Sequence, residues 1–164
     1  MENSTESEAK ADIEKVDEPI PLPAAADVAT PDSDMEDSQE AKEAKAEEFK
    51  TQGNEFFKNW KYQEAYDAYS KAVDVNVGGA KQCVYLSNRA FASLRLENYG
   101  IAIIDAKAAI DIDPNYIKAY YRRGCAYLAL TQIASAVKDF RKVCKIVPKD
   151  KDARLKYNET VKLK

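Results

Sequence analysis

Residues 98–124 read NYGIAIIDAKAAIDIDPNYIKAYYRRG. Two helical patterns meet in this stretch. Ala102, Ala106 and Ala109 fall on one face at spacings of four and three, as do Tyr120 and Gly124 beyond them. Asp113-Pro114 separates the two, because the residue before proline is pushed out of the helical region. Outward from here the chain repeats itself. Pro114 precedes Pro148 by 34 residues, Ala90 precedes Gly124 by 34, and Ala102 precedes Ala136 by 34. Upstream the offset is 37, taking Gly53 to Ala90, Tyr62 to Tyr99, Ala65 to Ala102 and Ala72 to Ala109. The three extra residues fall in VNVGGAKQC, where the Gly78-Gly79 pair makes a loop insertion cheap.

The units are therefore 46–79, 83–116 and 117–150, each a pair of helices joined by a short polar turn. Gly53, Ala90 and Gly124 share one register. Glycine inside a helix costs about 1 kcal/mol against alanine, so its use at two of three positions points to a close helix–helix approach. Residues 151–164 place Ala153, Tyr157 and Val161 on one face and read as a seventh helix that caps the last unit. The chain stops at Lys164 without a glycine or proline stop signal, which reads as a truncation. The fold class is all-α.

The rest of the composition is uneven. Residues 1–40 hold 13 acids and two bases, residues 41–164 hold 15 acids and 23 bases, and all 16 aromatic residues follow position 48. Four of the six prolines precede position 32. Such a segment cannot bury enough apolar surface to offset its ordering entropy, so 1–40 reads as a disordered acidic tail. Ser33, with Glu36 three residues on, resembles an acid-directed kinase site. No segment is apolar for long enough to span a membrane, and the acidic N-terminus is not a secretory signal. The chain has no histidine, which excludes Ser-His and Cys-His nucleophile pairs and imidazole-bound zinc. Cys83, Cys125 and Cys144 form no Cys-x-x-Cys and read as small buried hydrophobes in a reducing, intracellular setting.

The 34-residue period, the small residue at position 8, aromatics at 4, 11 and 24, alanine at 20 and 27 and proline at 32 resemble the tetratricopeptide repeat. Val77 and Val143 depart from that pattern at positions 32 and 27 of the first and third units. In stacked helix pairs the first helices line a concave surface. The polar residues on that face are Lys50 and Asn54, Asn88 and Arg95, and Lys118 and Arg122. Cations flanked by amides in a groove suit a carboxylate, which arginine grips bidentately.

Lys50, Asn54, Asn88, Lys118 and Arg122 also match, at all five positions, the dicarboxylate clamp of co-chaperone repeat domains. That resemblance implies a partner, the EEVD-ending tail of heat-shock protein 90 or 70, and implies no cofactor. The stretch 98–124 with PKDKDARLKYNE at 148–159 is similar to the N-terminal domain of the serine/threonine protein phosphatase 5 family. The resemblance covers about residues 41–164 and leaves the catalytic domain out. It implies that Arg95 joins the clamp rim. It further implies that Glu97, in RLEN, reaches into the phosphatase active site in cis and holds it shut until a chaperone tail or a fatty acid draws the domain away. It implies a cytoplasmic location, with the nucleus as a second one.

Three other readings compete. One is a stand-alone adaptor of the organising co-chaperone or immunophilin type. A second is a nucleic-acid-binding helical repeat, from the basic cluster Arg122, Arg123, Lys138, Arg141, Lys142 and Lys145. Against it, the tyrosines that could stack on bases fall at repeat core positions. The third makes this chain itself an enzyme, and a two-metal phosphatase centre needs the histidine it lacks. No nucleic acid and no membrane are expected as partners.

Overall fold

The computed structural model describes residues 38–164. The described chain forms seven helices: α1 (Gln39–Lys58), α2 (Tyr62–Val75), α3 (Gln82–Arg95), α4 (Tyr99–Ile112), α5 (Ile117–Ala129), α6 (Ile133–Ile146) and α7 (Lys151–Lys162). There is no strand among the described residues. Each helix packs on the next along the chain, and α3 also touches α5. Most of the acidic tail, with Ser33, lies outside the described residues.

Small residues set how close the helices come. Ala65 and Ala72 of α2, Ala102, Ala106 and Ala109 of α4, and Ala136 of α6 are fully buried. Opposite them, a Cβ on Gly53 would sit 2.5 Å from Tyr69 Cε1, and one on Gly124 2.8 Å from Phe140 Cε1. Tyr69 and Phe140 are fully buried, so neither ring has room to yield. Gly53→Ala and Gly124→Ala are therefore expected to destabilise by about 1–3 kcal/mol, the usual cost of overpacking. Gly100, beside which a Cβ meets nothing among the described residues, should instead gain about 0.5–1 kcal/mol as alanine through helix propensity. Urea denaturation of the three variants measures both signs, and a neutral Gly53→Ala would remove the packing explanation.

The first helix of each unit ends in the same way. Lys61 N–H donates to Phe56 O, Asn98 N–H to Ser93 O and Gln132 N–H to Tyr127 O, at 2.9, 2.8 and 2.8 Å. These are six-residue C-terminal closures that need a left-handed residue inside them. That residue is Trp60, Glu97 or Thr131, with φ of 62°, 61° and 58°. None is a glycine, so the turn is held by the packing of the two helices it joins. The second helices of units two and three end at Ile112 and Ile146, and the residues that follow, Asp113 and Val147, leave the helical region ahead of a proline. In unit one, where Val77 replaces proline, Asn76 turns inward instead. It is buried and accepts from Gln39 Nε2 at 2.9 Å, while Gly78 turns with φ +79°.

Three sequence expectations change here. Helix α1 begins at Gln39, inside the stretch read as tail and well before residue 46. Ser38 Oγ accepts from Ala41 N–H at 3.1 Å, a side-chain cap that satisfies one orphan donor of the first turn. In α7 the inward face is Ala153, Tyr157 and Thr160. Thr160 is fully buried, bonding back to Lys156 O, and Val161 is exposed. Of the cysteines, Cys83 alone is buried; Cys125 and Cys144 are partly exposed because they lie at helix flanks.

Candidate functional site

The first helices α1, α3 and α5 supply the candidate residues. Lys50 and Asn54 sit one turn apart on α1, as do Lys118 and Arg122 on α5, and Asn88 and Arg95 sit two turns apart on α3. Lys50, Asn54, Asn88 and Arg122 are only 5, 3, 0 and 1 % exposed, so they form a desolvated polar floor. Lys118 is half-buried and Arg95 is exposed.

Each floor residue is held from below. Lys50 Nζ donates to Glu47 Oε2 at 2.7 Å, and Tyr85 O–H donates to Glu47 Oε1 at 2.7 Å. Burial pushes the Glu47 carboxyl up. The hydrogen bonds from Lys50 and Tyr85, with the charges of Lys50 and Lys81, outweigh this and hold it below the usual carboxylate range. The same burial and the same anion push the Tyr85 hydroxyl far above its ordinary value. Glu47 thus stays ionised and fixes the Lys50 ammonium. Asn54 Oδ1 accepts from Tyr69 O–H at 2.8 Å, the ring that Gly53 makes room for.

Arg122 joins α5 to α3. Its Nη1 donates to Ser87 Oγ at 2.7 Å and to Asn88 Oδ1 at 3.2 Å, and its guanidinium lies 4.7 Å from the Phe91 ring centroid. Asn88 spends its acceptor on Arg122, and its Nδ2, fully buried, has no hydrogen-bond partner among the described residues. A buried donor left unpaired costs about 1–3 kcal/mol, and an incoming acceptor would recover it. Beside Arg122 opens a cavity of about 200 Å³, lined by Phe91, Leu94, Tyr99, Tyr121 and Cys125 with Arg95 at its edge. Arg95 stacks between Tyr62 and Phe91, with centroid distances of 5.8 and 5.6 Å.

The structure thus brings Arg122 and Arg95 to one opening, with Asn88 bonded to Arg122 beside it and with Lys50 and Asn54 on α1. Glu97 lies apart from the floor, exposed in the left-handed turn after α3. The sequence reading missed the supporting shell of Glu47, Tyr69, Tyr85, Ser87 and Phe91. Only Glu47, three residues before Lys50, carried a visible spacing signal.

Arg123 does not belong to the groove. It lies one residue, about 100°, round the helix and forks onto Asp139 at 2.8 and 2.8 Å. Arg89 does the same to Asp105 at 2.8 and 2.7 Å in unit two. Each bond raises the arginine's affinity for its proton further, against burial. The basic cluster read from the sequence therefore loses Arg122 to burial and Arg123 to an ion pair. Among the described residues no helix is long and apolar enough to cross a membrane, and no trio of Cys, Asp or Glu is placed to hold a metal.

A family model described as tetratricopeptide repeat matches residues 117–150. The first such domain of Spaghetti (RPAP3), bound to the HSP90 peptide SRMEEVD, superposes with a TM-score of 0.69 at 34% identity, over 73% of this chain and 93% of that one. The chain belongs to the tetratricopeptide-repeat family. The second such domain of human RPAP3, in complex with the HSP70 peptide SGPTIEEVD, has a TM-score of 0.65 at 28% identity, covering 75% and 98%. Mouse serine/threonine-protein phosphatase 5 is 45% identical over 119 residues, which are 73% of this chain and 23% of the phosphatase. This tetratricopeptide-repeat chain is thus homologous to the repeat region of phosphatase 5, and the catalytic domain is not covered. It spans under a quarter of the length of the curated relatives it matches.

Proposed function

We propose that this tetratricopeptide-repeat domain binds the acidic C-terminal tail of a heat-shock chaperone, of the 90 or 70 class, in its concave groove. The observation that carries the reading is the floor itself: among the described residues nothing satisfies the Asn88 Nδ2 donor beside Arg122, and Lys50 and Asn54 lie on α1, which Glu47 ties to Tyr85 of α3. Two carboxylates fit it. Lys118 and Arg122 take one, and Lys50 with Asn54 and Asn88 takes the other. Each charge-assisted bond contributes about 1.5–3 kcal/mol. Solved relatives hold peptides ending in EEVD, which present two such anions on the last residue. The cytoplasm, and the nucleus second, are the locations this partner implies.

Calorimetry with SRMEEVD and with its C-terminally amidated form tests the reading. Amidation removes one of the two anions and is expected to weaken binding at least tenfold. Equal affinities would replace the clamp with a diffuse basic surface.

The finer reading is that this domain regulates a phosphatase 5-type catalytic domain, with Glu97 as the contact that shuts the active site. Two features support it: the similarity to phosphatase 5, and the exposure of Glu97 in a turn shaped by helix packing. Joined to that catalytic domain, the chain with Glu97→Gln is expected to show a raised basal rate on a small phosphate ester and unchanged peptide affinity. An unchanged basal rate would make Glu97 a solvated turn residue.

A further inference from the structure

We propose that Glu47 limits the Lys50 end of the groove to a group of single negative charge, admitting a carboxylate and turning away a phosphate-type dianion. The proposal rests on the clamp reading above and names what that end of the clamp selects. Its basis is that one ammonium serves two anions. Lys50 Nζ has three N–H donors, and one of them goes to Glu47 Oε2 at 2.7 Å. An incoming anion that takes another shares the same tetrahedral nitrogen. Two acceptors at hydrogen-bond distance from one such nitrogen stand about 4.5 Å apart. Lys50 is buried, so little water screens the two anions from each other.

Glu47 cannot give way. The fully buried Tyr85 donates its O–H to Oε1 at 2.7 Å, so the carboxylate is held at both oxygens and does not swing aside. It does not take up a proton either. Burial favours the protonated form, but the hydrogen bonds from Lys50 and Tyr85 and the charges of Lys50 and Lys81 outweigh it. The groups that act on this carboxylate are thus Lys50 on its own helix and Tyr85 and Lys81 at α3, while Glu43, one turn earlier on α1, acts on Tyr85. Lys81 Nζ lies 3.6 Å from Oε1, and its side chain is half exposed, so water screens its charge.

Lys50 and Glu47 together therefore carry no net charge, and this end of the groove offers donors more than it offers charge. Those donors are the remaining ammonium hydrogens and the Asn88 Nδ2 that nothing among the described residues satisfies. A carboxylate brings one charge and matches them. A dianion sheds a stronger hydration shell and sets its second charge against Glu47.

The test uses the full chain and three peptides: SRMEEVD, and two analogues in which a phosphonate replaces either the terminal carboxylate or the last side-chain carboxylate. A phosphonate loses its second proton between about pH 6 and pH 8, where carboxylates stay ionised throughout. The chain has no histidine, the side chain that ordinarily titrates in that range. Calorimetric affinities of the analogues at both pH values are divided by that of SRMEEVD. In the wild type, the analogue that sets its phosphonate on the Lys50 end is expected to lose at least about threefold between pH 6 and pH 8. Glu47→Gln is expected to abolish that loss, and Tyr85→Phe, which keeps the Glu47 charge, to retain it. The other analogue, facing Lys118 and Arg122, should show a pH dependence that Glu47→Gln leaves unchanged. Glu47→Gln also loosens the Lys50 ammonium, so SRMEEVD itself should bind severalfold more weakly; the pH ratio is what a purely structural role would not move. A wild-type ratio that falls for neither analogue overturns the proposal without any variant. So does an equal response of both analogues to Glu47→Gln, which is a diffuse charge effect. A loss abolished by Tyr85→Phe and kept in Glu47→Gln also overturns it, since position and not charge would then select. If SRMEEVD binds and Glu47→Gln moves neither ratio, the selection falls and the clamp stands. If the wild type does not bind SRMEEVD, the clamp reading falls and the selection with it.

Discussion

Arg122→Ala is expected to weaken the binding of SRMEEVD at least about 30-fold. The substitution leaves a partly desolvated carboxylate unpaired, at a cost of about 2–5 kcal/mol, and 1.4 kcal/mol is tenfold. Arg122 has a second role, because it stacks on Phe91 and bonds Ser87 and Asn88 across α3 and α5. Part of the loss will therefore be structural. Arg122→Lys separates the two. It keeps the charge and loses the planar fork, so binding should fall while remaining measurable. Lys118→Ala removes a cation that is less deeply set, and its loss should approach that of Arg122→Ala with a smaller change in melting temperature. Calorimetry beside thermal melting decides the matter. If Lys118→Ala and Arg122→Lys both bind within threefold of wild type, the groove does not work through its cations.

Asp139→Ala is expected to lower stability by about 3 kcal/mol without touching the groove. The carboxylate is 3% exposed and the Arg123 side chain 17% exposed. Removing one member of such a pair leaves a largely buried charge without its counter-ion, and that costs about 3–5 kcal/mol when both are fully buried. The residual exposure of Arg123 puts the expectation at the lower end. The melting temperature should drop by roughly 10 °C for a domain of this size. Asp105→Ala should behave alike, since Arg89 and Asp105 repeat the geometry one unit earlier. The double replacement Arg123→Met with Asp139→Leu should recover most of the loss, because apolar residues of similar volume remove both desolvation penalties. If Asp139→Ala melts within 2 °C of wild type, the pair is only a surface contact. Arg123→Ala is correspondingly a probe of folding, although the helical wheel alone makes it look like an inert neighbour of Arg122.

Unit one lacks this pair, having Gln52 and Ala68 at the corresponding places under the 37-residue offset. Its two helices are instead joined by the Tyr69–Asn54 hydrogen bond over Gly53, so one contact both holds the unit and presents a groove residue. The extension of α1 back to Gln39 belongs to the same unit. Composition hid it, because the acids of the tail run into the helix. The local signals were nonetheless present: a serine cap at Ser38, then the strong helix formers of QEAKEAKAEE. The turns were hidden differently. Trp60, Glu97 and Thr131 take the left-handed conformation without being glycine, and only the repeat period marked their place.

The period, the small residues at Gly53, Ala90 and Gly124, and the proline breaks at Pro114 and Pro148 were legible in the sequence because they are local. Spacings of three, four and 34 residues are properties of a helix and of a stack of helix pairs. They also put Lys50, Asn54, Asn88, Lys118 and Arg122 on first helices. Tertiary structure alone decided what those residues touch. Glu47 meets Tyr85 across 38 residues, and Arg122 meets Ser87 across 35. Arg123 turns away to Asp139 although it adjoins Arg122 in the chain. Such contacts depend on the angle and distance between packed helices, which the small residues permit but do not specify. Burial then sets the chemistry, because a lysine or an asparagine becomes a binding group only where its neighbours remove the water and leave a donor unspent.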